Sequence, residues 1–572
     1  MDNLAIAQIL REIADLLEIK SDNPFKIRAY RNGADIAANH PHRLAVLDEP
    51  GLREIPGIGK DLAARIREIS ATGDAAYHRE LVAEFPPSIL DLLSLQGVGP
   101  KTVATLYREL EVRTLDDLER AAVDGRIRSL RGMGAKKEAL IVKALAERRR
   151  HAGRHLLSEA ADRAADVVAF LRERVPDTDI LPVGSLRRGC DTCGDLDLLA
   201  SGAPRALMDE FVGYDQVERV LGHGDTKSSV LLRSGFQADL RLVAPESRGA
   251  ALQYFTGSKA HNIALRDRAI GLSLKLNEYG VFNSDDDSRI AGATEEEVYE
   301  ALGLAWIPPE LREMRGEIDA AETRALPRLV DRADLRGDVH MHSTETDGRD
   351  DVRAMAEAAR EAGLEYIAIT DHSQSLAMAN GLHERRTLEH AARIRELDAQ
   401  GLGIRLLAGI ECDIKPDGTM DLDDECLAAL DVVVASVHSG FNQDIQQMTD
   451  RLLRAIDNPH VDIVGHLTGR MILKREPTAV DVAAVAAAAA RRGVALEINS
   501  QPHRLDLNDV NARLARDSGV KIVISSDAHS RQALATLRWG VLVARRAWLT
   551  ASDVLNTRSH DDFRASLRRN RR

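Results

Sequence analysis

The feature that most constrains the fold is a regular alternation, from Gly337 onward, of short apolar runs with helical, often Ala-rich stretches such as 482–492. Parallel strands must be joined by long crossover connections, and these connections are usually helices. The alternation therefore predicts a parallel sheet or barrel, with its functional residues at the carboxyl ends of the strands. The predicted strands are 366–370, 406–410, 432–437, 461–464, 495–498 and 521–525.

A side chain able to bind a metal ion follows nearly every one of these predicted strands. A lone histidine on an apolar strand is more often a satisfied core residue. Closure of the strands into a barrel, however, would bring all of these side chains into one cavity. Imidazoles combined with carboxylates suit Zn²⁺, Mn²⁺ or Fe²⁺ better than Mg²⁺ alone. The residues are His340, His342, Asp347, His372, Glu411, His438, His466, Asp527 and His529.

Three aspartates form a second candidate site in the middle of the chain. Asp195 and Asp197 point to the same face of a predicted strand, because side chains repeat every second residue. Such close carboxylates repel each other unless a cation lies between them. Asp239 falls on the second strand of a predicted hairpin, 228–233 and 236–243, and can complete the cluster. Three carboxylates around two Mg²⁺ ions suit an in-line phosphoryl displacement, although an isolated Asp-x-Asp is usually a solvated strand edge.

The first 150 residues are predicted to be almost wholly helical, with Gly-rich breaks at 55–60, 95–101 and 130–136. Two glycines let backbone N–H groups approach a phosphate, and the following helix points its amino end toward it. One such loop is usually a plain helical turn, whereas three spaced repeats favour sequence-independent binding of a DNA backbone. The candidate DNA-binding residues in the first two loops are Gly57, Gly59, Lys60, Gly97, Gly99 and Lys101.

Composition excludes several classes of protein. The chain has 572 residues, of which 44% are apolar, so it can form several domains and is not a disordered chain. Four cysteines exclude a disulfide scaffold and suit a reducing, cytoplasmic setting. We find no apolar run near the ~20 residues that a membrane span needs, and expect no membrane association. A net charge of −13 argues against nucleic-acid binding when taken alone, but it averages over distinct regions.

The middle motif resembles a known family. Gly184-Ser185-Leu186-Arg187-Arg188-Gly189, followed by Gly194-Asp195-Leu196-Asp197, is similar to the nucleotidyl-transfer motif of the DNA polymerase X family, and the resemblance extends over residues 1 to about 315. It implies an α+β nucleotidyltransferase palm with a thumb, in which Asp195, Asp197 and Asp239 are catalytic and bind Mg²⁺ or Mn²⁺. It also implies contacts to a deoxynucleoside triphosphate from Gly184, Ser185, Arg188, Gly194, Tyr254, Phe255, Gly257, Asn262 and Arg266.

The same resemblance bears on the helical front end. Lys26 and Tyr30 match the family's Lys-x-x-x-Tyr pattern and imply binding of a DNA 5′-phosphate. Some members also remove a 5′-deoxyribose phosphate through a lysine Schiff base. Here Arg65 falls where that lysine is expected, and an arginine cannot form the imine. Lys60 is the nearest substitute, so the lyase activity stays an open question.

The carboxyl-terminal region resembles the PHP (polymerase and histidinol phosphatase) domain over about 337–572, through its His-x-His opening and the later Asp-His-Ser and Ser-Asp-Ala-His. The resemblance implies a (β/α)7 TIM-like barrel in which the nine residues given above bind three ions, Mn²⁺ or Zn²⁺. It also implies a metal-dependent phosphoesterase.

Together these resemblances predict a multidomain DNA polymerase that fills short gaps in repair, fused to a 3′→5′ exonuclease that can also act as an abasic-site endonuclease or 3′-phosphatase. The expected partners are gapped or nicked DNA and deoxynucleoside triphosphates, and the expected state is a monomer. The alternatives are a nuclease or phosphatase whose palm only binds DNA, and a non-catalytic scaffold for DNA ends. The predicted domains are 1–85 and 86–150 (both helical, with helix-hairpin-helix motifs), 151–245 (palm), 246–315 (thumb), 316–336 (linker) and 337–572 (PHP barrel).

Overall fold

The computed structural model describes residues 3–39, 44–86, 88–93, 95, 98–130, 132–151 and 153–570. The chain forms two compact units, Met1–Ala152 and Gly153–Arg572. None of the described helices is long and apolar enough to cross a lipid bilayer.

The described part of the first unit contains helices and turns but no strand, as the sequence predicts. In the first helix Ile6, Leu10, Ile13 and Leu17 recur every three or four residues, and all four are buried. This spacing places them on one helix face, which packs in the core of the unit. The helices are α1 (Asn3–Lys20), α2 (Pro24–Asn39), α3 (Glu49–Arg53), α4 (Lys60–Thr72), α5 (Ala76–Glu84), α6 (Ile89–Leu93), α7 (Pro100–Leu110), α8 (Leu115–Val123) and α9 (Ala135–His151).

The second unit begins with the palm, a five-stranded sheet in the order β2-β4-β7-β6-β5. The predicted hairpin is confirmed, because β6 and β7 pair antiparallel with Ser229 opposite Asp239. The helix α10 packs its buried face, including Val167 and Leu171, in the core beneath this sheet. The elements are β1 (His155–Leu156), α10 (Leu157–Arg174), β2 (Asp179–Pro182), α11 (Gly184–Arg187), β3 (Thr192–Cys193), β4 (Asp195–Ser201), α12 (Ala206–Val212), β5 (Val217–His223), β6 (Lys227–Leu232) and β7 (Gln237–Val243).

A smaller helical region with a three-stranded antiparallel sheet follows the palm. At its centre the buried His261 lies 2.6 Å from Glu317 Oε1 and 3.0 Å from the hydroxyl of Tyr299. Glu317 belongs to the segment that the sequence predicts as a linker, and its side chain is fully buried. The elements are α13 (Arg248–Thr256), α14 (Lys259–Gly271), β8 (Leu274–Asn277), β9 (Gly280–Asn283), β10 (Arg289–Ala291), α15 (Glu295–Ala301) and α16 (Glu317–Glu322).

The predicted parallel barrel is also confirmed. Seven parallel strands follow one another in chain order, from β11 to β17. The two ends of the sheet meet beyond these strands, where the N–H of His342 donates to the carbonyl oxygen of Ala528 over 2.9 Å. The elements are β11 (Gly337–Asp338), α17 (Val352–Glu361), β12 (Tyr366–Ile369), α18 (Glu384–Ala399), β13 (Arg405–Asp413), α19 (Asp424–Ala428), β14 (Val432–Ser436), α20 (Ile445–Asp457), β15 (Ile463–Val464), α21 (Val482–Arg492), β16 (Ala495–Asn499), α22 (Asp509–Asp517), β17 (Ile522–Ser525), α23 (Leu537–Arg546) and α24 (His560–Ser566).

Candidate active sites

The three palm aspartates lie on neighbouring strands. β4 and β7 run parallel with Asp197 directly opposite Asp239, and Asp195 stands two residues earlier on the same face of β4. Gly184 approaches this cluster so closely that a Cβ atom there would lie 2.5 Å from Oδ2 of Asp197. Its φ of +64° is also one that only glycine adopts readily. The glycine that opens the motif is therefore required by the packing of the carboxylates.

The electrostatics of the palm cluster suit a divalent cation. Burial raises the pKa of Asp197 to about 6, and the neighbouring charges of Asp195 and Asp239 add to the rise. At Asp239 burial acts in the same direction, but hydrogen bonds from Lys227, Gln237 and Ser229 outweigh it and lower the pKa. Nζ of Lys227 lies 2.9 Å from Asp239 Oδ2 and supplies positive charge. The donors are all carboxylate oxygens, which are the ligands that Mg²⁺ and Mn²⁺ prefer.

The predicted triphosphate contacts lie beside these carboxylates. Ser185 is in the single turn of α11, and Arg188 caps its end. The Arg188 guanidinium donates through Nε to Glu313 over 2.9 Å and through Nη1 to the carbonyl oxygen of Thr256 over 2.7 Å. Gly194 lies just before β4, and a Cβ atom added to it would lie 3.9 Å from Nη1 of Arg154 and 4.0 Å from the carbonyl oxygen of Gly153. The motif thus begins beside β4, where Gly184 packs against Asp197.

The predicted nucleotide-selecting residues lie at the end of α13, in the turn that follows it, and in α14. Asn262 uses its amide to hold this turn, since Nδ2 donates to the carbonyl oxygens of Tyr254 and Gly257 over 2.7 and 3.2 Å. A Cβ atom on Gly257 would lie 2.4 Å from Oδ1 of Asn262. The ring of Phe255 lies 4.3 Å below the Arg241 guanidinium. Arg266, one helical turn beyond Asn262, is exposed.

At the carboxyl end of the barrel, the predicted ligands surround one carboxylate. Glu411 on β13 is buried, and its two oxygens lie 2.8–3.6 Å from ring nitrogens of five histidines. The nearest ring nitrogens are His372 Nδ1 at 2.8 Å and His466 Nε2 at 2.9 Å. The histidines around Glu411 are His340, His342, His372, His438 and His466.

Three overlapping groups of potential ligands have their donor atoms within 4.8 Å of one another, and together they include every predicted barrel ligand except His466. Among the described residues, all groups of this kind lie in the barrel. They are His342, Asp347, His372 and His529; His340, His342 and Asp527; and His372, Glu411 and His438.

The chemistry of this donor set fits metal ions. His340 Nε2, His342 Nδ1 and His466 Nδ1 are buried without a hydrogen-bond partner. The unprotonated nitrogen of a neutral ring presents a lone pair, and where it faces a carboxylate a proton or a cation must lie between them. Although burial opposes the charged ring, Glu411 and Asp347 raise the pKa of His372 to about 10. Burial and its histidine neighbours lower the pKa of His342 to about 4.

Several residues that support these ligands were not predicted. Glu497 on β16 accepts a hydrogen bond from Nδ1 of His340 over 2.7 Å and another from the N–H of His466 over 2.7 Å. Asp413 lies 3.2 Å from Nδ1 of His438. The sequence could have indicated Glu497, because it is an ionisable residue inside an apolar run. A charge that is buried in a strand needs a partner.

Next to the palm, the missed residue is Glu295, at the start of α15 in the thumb. Its carboxylate binds the Arg187 guanidinium through both oxygens, at 2.9 and 2.7 Å, and accepts from the fully buried Arg312 over 2.5 Å. These partners lie far apart in the sequence, so nothing in the local pattern links them.

The Gly-rich loops of the first unit each lead into a helix. Gly59 precedes α4 and Gly99 precedes α7, both in extended backbone, and neither has an atom within 4 Å of an added Cβ. Lys60 and Lys101, in the first turns of these helices, are exposed. Gly57 has a φ of +90°. Gly97 lies outside the described residues.

The predicted 5′-phosphate residues lie together with Arg65. Lys26 donates to the hydroxyl of Tyr77, whose ring stacks on Tyr30 with 6.2 Å between centroids. The hydrogen bond to Tyr77 raises the pKa of Lys26. Arg65 lies over the same Tyr77 ring, 5.3 Å from its centroid.

Comparison with protein families places four matches along the chain. The descriptions of the matching families are a helix-hairpin-helix domain (residues 1–75), a SAM-like helix-hairpin-helix tandem (89–147), a DNA polymerase beta thumb (251–313) and a PHP domain (338–501).

Whole-chain similarity decides the family. The chain is 37% identical over 568 residues to the "DNA polymerase/3'-5' exonuclease PolX" of Bacillus subtilis, covering 99% of both proteins. The chain belongs to the DNA polymerase X family. It is a member that carries a PHP domain, and the predicted fold class is confirmed. The chain is also 32% identical to a "Probable phosphatase" of Thermoanaerobacter sp. over 216 residues (36% of this chain, 83% of that protein). It is likewise 32% identical to a "Probable phosphatase" of Shewanella sediminis over 229 residues (38% of this chain, 88% of that protein).

Proposed function

We propose that this chain is a DNA polymerase that fills short gaps during repair and that its PHP barrel is a metal-dependent 3′→5′ exonuclease. The observation that best supports the polymerase activity is the pairing of Asp197 with Asp239 across parallel strands, next to the Gly184–Arg188 turn. The exonuclease is supported by the convergence of nine potential ligands at the carboxyl end of the barrel. Both activities match the name of the full-length Bacillus relative.

In the palm, Asp195, Asp197 and Asp239 would hold Mg²⁺ or Mn²⁺. Bound there, the ions supply charge neutralisation for the triphosphate and favour ionisation of the primer 3′-hydroxyl. Ser185 and Arg188 bind and orient the triphosphate. Tyr254 and Phe255 lie against the sugar, where a rigid turn fixed by Asn262 can exclude a 2′-hydroxyl. Arg266 reaches the minor-groove side of the new base pair.

In the barrel, the nine predicted ligands would hold three ions, Mn²⁺ or Zn²⁺. Bound there, the ions supply a nucleophile at neutral pH and stabilise charge on the scissile phosphate. Glu497 and Asp413 orient His340 and His438 by accepting from the second ring nitrogen, which fixes the tautomer. The likeness of this chain to the two probable phosphatases supports a 3′-phosphatase activity of the same site.

In the first unit, Gly57, Gly59, Lys60, Gly99 and Lys101 bind the DNA backbone, since open helix amino ends with an adjacent lysine attract phosphate. Lys26 and Tyr30 bind the 5′-phosphate at the far side of the gap. We propose that no Schiff-base lyase operates through Arg65. The chain acts on gapped or nicked DNA as a monomer.

A one-nucleotide-gapped duplex with a labelled primer tests this assignment. Asp239→Ala removes a palm ligand and is expected to abolish extension but not 3′ degradation. His342→Ala is expected to have the opposite effect. Asp225→Ala, an exposed carboxylate paired with Arg205, is the palm control. His460→Ala is the barrel control, because His460 precedes β15 at the opposite barrel end from His466.

If the wild type degrades the primer but never extends it, the palm is only a DNA-binding module and the polymerase assignment is wrong. The same duplex with a 3′-phosphate on the primer tests the phosphatase. Release of phosphate by the wild type and not by His342→Ala is the expected result.

A further inference from the structure

The loop that follows the Gly184–Arg188 turn is held by two arginines of the PHP barrel. Arg546, the last residue of α23, donates through Nη1 to the carbonyl oxygen of Arg188 over 2.9 Å. Nη1 of Arg470 lies 2.7 Å from Oδ2 of Asp191. Gly189, between these contacts, comes so close to α23 that an added Cβ would lie 3.3 Å from Leu542. The loop of the palm thus rests directly on the barrel.

Arg546 also shares a partner with the side chain of Arg188. The same carboxylate oxygen, Oε1 of Glu313, accepts from Arg188 Nε over 2.9 Å and from Arg546 Nη1 over 3.0 Å. On its other side Arg546 Nη2 lies 2.9 Å from Asp509, at the start of α22, and Asp509 also accepts from Arg315 over 2.8 Å. Arg546 is therefore at the centre of a row of side chains with alternating charges.

The net charge of this row of side chains matters for an anionic ligand. Arg188, Arg546 and Arg315 alternate with Glu313 and Asp509, so this row of five side chains carries one net positive charge. Without Arg546 the same groups would form two neutral pairs, and Glu313 would be left to Arg188 alone. The side chains of Arg546 and Arg188 are only 7% and 14% exposed, so solvent screens the change weakly.

We propose that Arg546 is a positioning residue for nucleotidyl transfer, supplied to the palm by the PHP barrel. It donates a hydrogen bond to the backbone of Arg188 and shares the Glu313 carboxylate with the Arg188 side chain. Glu313 therefore neutralises less of the positive charge of Arg188, and that charge is available to the triphosphate. The inference rests on the proposed role of Arg188 in triphosphate binding. It makes the barrel part of the nucleotide site, in addition to its own phosphoesterase activity.

The test compares Arg546→Met with Arg545→Met in the full-length chain. Arg545 is the adjacent residue of the same helix, and it too crosses to the thumb, where Nε donates to Glu310 over 2.6 Å. Both variants therefore remove a barrel-to-thumb ion pair, but Arg545 has Glu310, Val330 and Asp331 as its partners. Steady-state incorporation of one nucleotide into a gapped duplex gives KM and kcat for the triphosphate, and degradation of the same primer without nucleotides gives the exonuclease rate.

We expect Arg546→Met to raise KM for the triphosphate about tenfold, equivalent to about 1.4 kcal/mol. We expect kcat and the exonuclease rate to change by less than about twofold, because binding that is equal in ground and transition states affects KM alone. Arg545→Met should keep the wild-type KM. Arg546→Lys should give an intermediate KM, since lysine keeps the charge but not the fork that reaches both Glu313 and the carbonyl oxygen.

Equal KM values for Arg546→Met and Arg545→Met would overturn the inference while leaving the polymerase assignment intact. If Arg546→Met does not fold, Arg546→Lys decides by the same criterion, and a wild-type KM for that variant overturns the inference. A wild-type chain that cannot extend a primer refutes the proposed function, and the role of Arg546 with it.

Discussion

Replacing Glu497 by glutamine tests whether the barrel ligands depend on groups behind them. Glu497 is fully buried and accepts two short hydrogen bonds, one from Nδ1 of His340 and one from the N–H of His466, each 2.7 Å long. The two bonds use different oxygens of the carboxylate. Glutamine has one oxygen, so its NH2 group must face one of these two donors.

The expected loss follows from these contacts. A hydrogen bond to a charged group contributes about 1.5–3 kcal/mol, and losing an outer partner of a metal-bound histidine typically costs about 10–100-fold in metal affinity or activity. The exonuclease of Glu497→Gln should therefore fall about 10–100-fold, and excess Mn²⁺ should restore part of it. Primer extension should stay within about twofold of the wild type, because the palm carboxylates are untouched.

Primer degradation and extension, measured over a Mn²⁺ titration, give both activities. Glu396→Gln, on the exposed face of α18, is the matched control. An exonuclease rate for Glu497→Gln equal to that of the control would show that Glu497 does not position His340.

Three further predictions test other parts of the account. Gly184→Ala places a Cβ atom 2.5 Å from Asp197 Oδ2 in a backbone conformation that costs an L-residue about 1–2 kcal/mol, so extension should fall at least about tenfold with exonuclease intact; unchanged extension would refute the packing argument. At Glu295 burial opposes ionisation, but Arg187 and Arg312 lower the pKa from 4.5 to about 2, so Glu295→Gln should cost about 3 kcal/mol of stability at pH 7. Because the pKa of Glu295 is lowered, its ionised carboxylate stabilises the folded protein fully above about pH 4.5, and this stabilisation is lost as the pH falls toward about 2. About half of the stability difference between the wild type and Glu295→Gln should therefore be gone by about pH 3 in denaturant titrations. A stability difference that does not change with pH would contradict the assignment. Mn²⁺ at about a hundredfold over its Kd should stabilise the wild type by about 2.7 kcal/mol in thermal melts, and His342→Ala by clearly less; equal shifts would exclude His342 as a ligand.

The sequence predicts the barrel well because its signals are local. Six of the seven strands overlap the predicted apolar runs, and a helix such as Val482–Arg492 occupies the predicted residues. The first strand, β11 (Gly337–Asp338), has no apolar run and is not among the predicted strands. The ligand positions follow from topology, since parallel strands present their carboxyl ends to one cavity. In the same way the hairpin places Asp239 on β7, and the parallel pairing of β7 with β4 brings it opposite Asp197.

The sequence does not predict contacts whose partners are distant in the chain. Arg187 and Glu295 are 108 positions apart, and Arg188 meets Arg546 across 358. The packing of the thumb and the barrel against the palm determines which charged side chains meet. No local sequence pattern predicts this packing. For the same reason the family motif names Arg188 as a ligand contact but does not show that a barrel residue holds it.

The most direct test of two separate active sites in one chain uses a gapped duplex whose primer ends in a 3′ mismatch. With nucleotides and Mn²⁺, the wild type should first remove the mismatched nucleotide and then extend the primer. His342→Ala should leave the mismatch in place, and Asp239→Ala should shorten the primer without extending it. An equimolar mixture of the two variants should restore the complete reaction. Removal of the mismatch by His342→Ala, or extension by Asp239→Ala, would contradict the account.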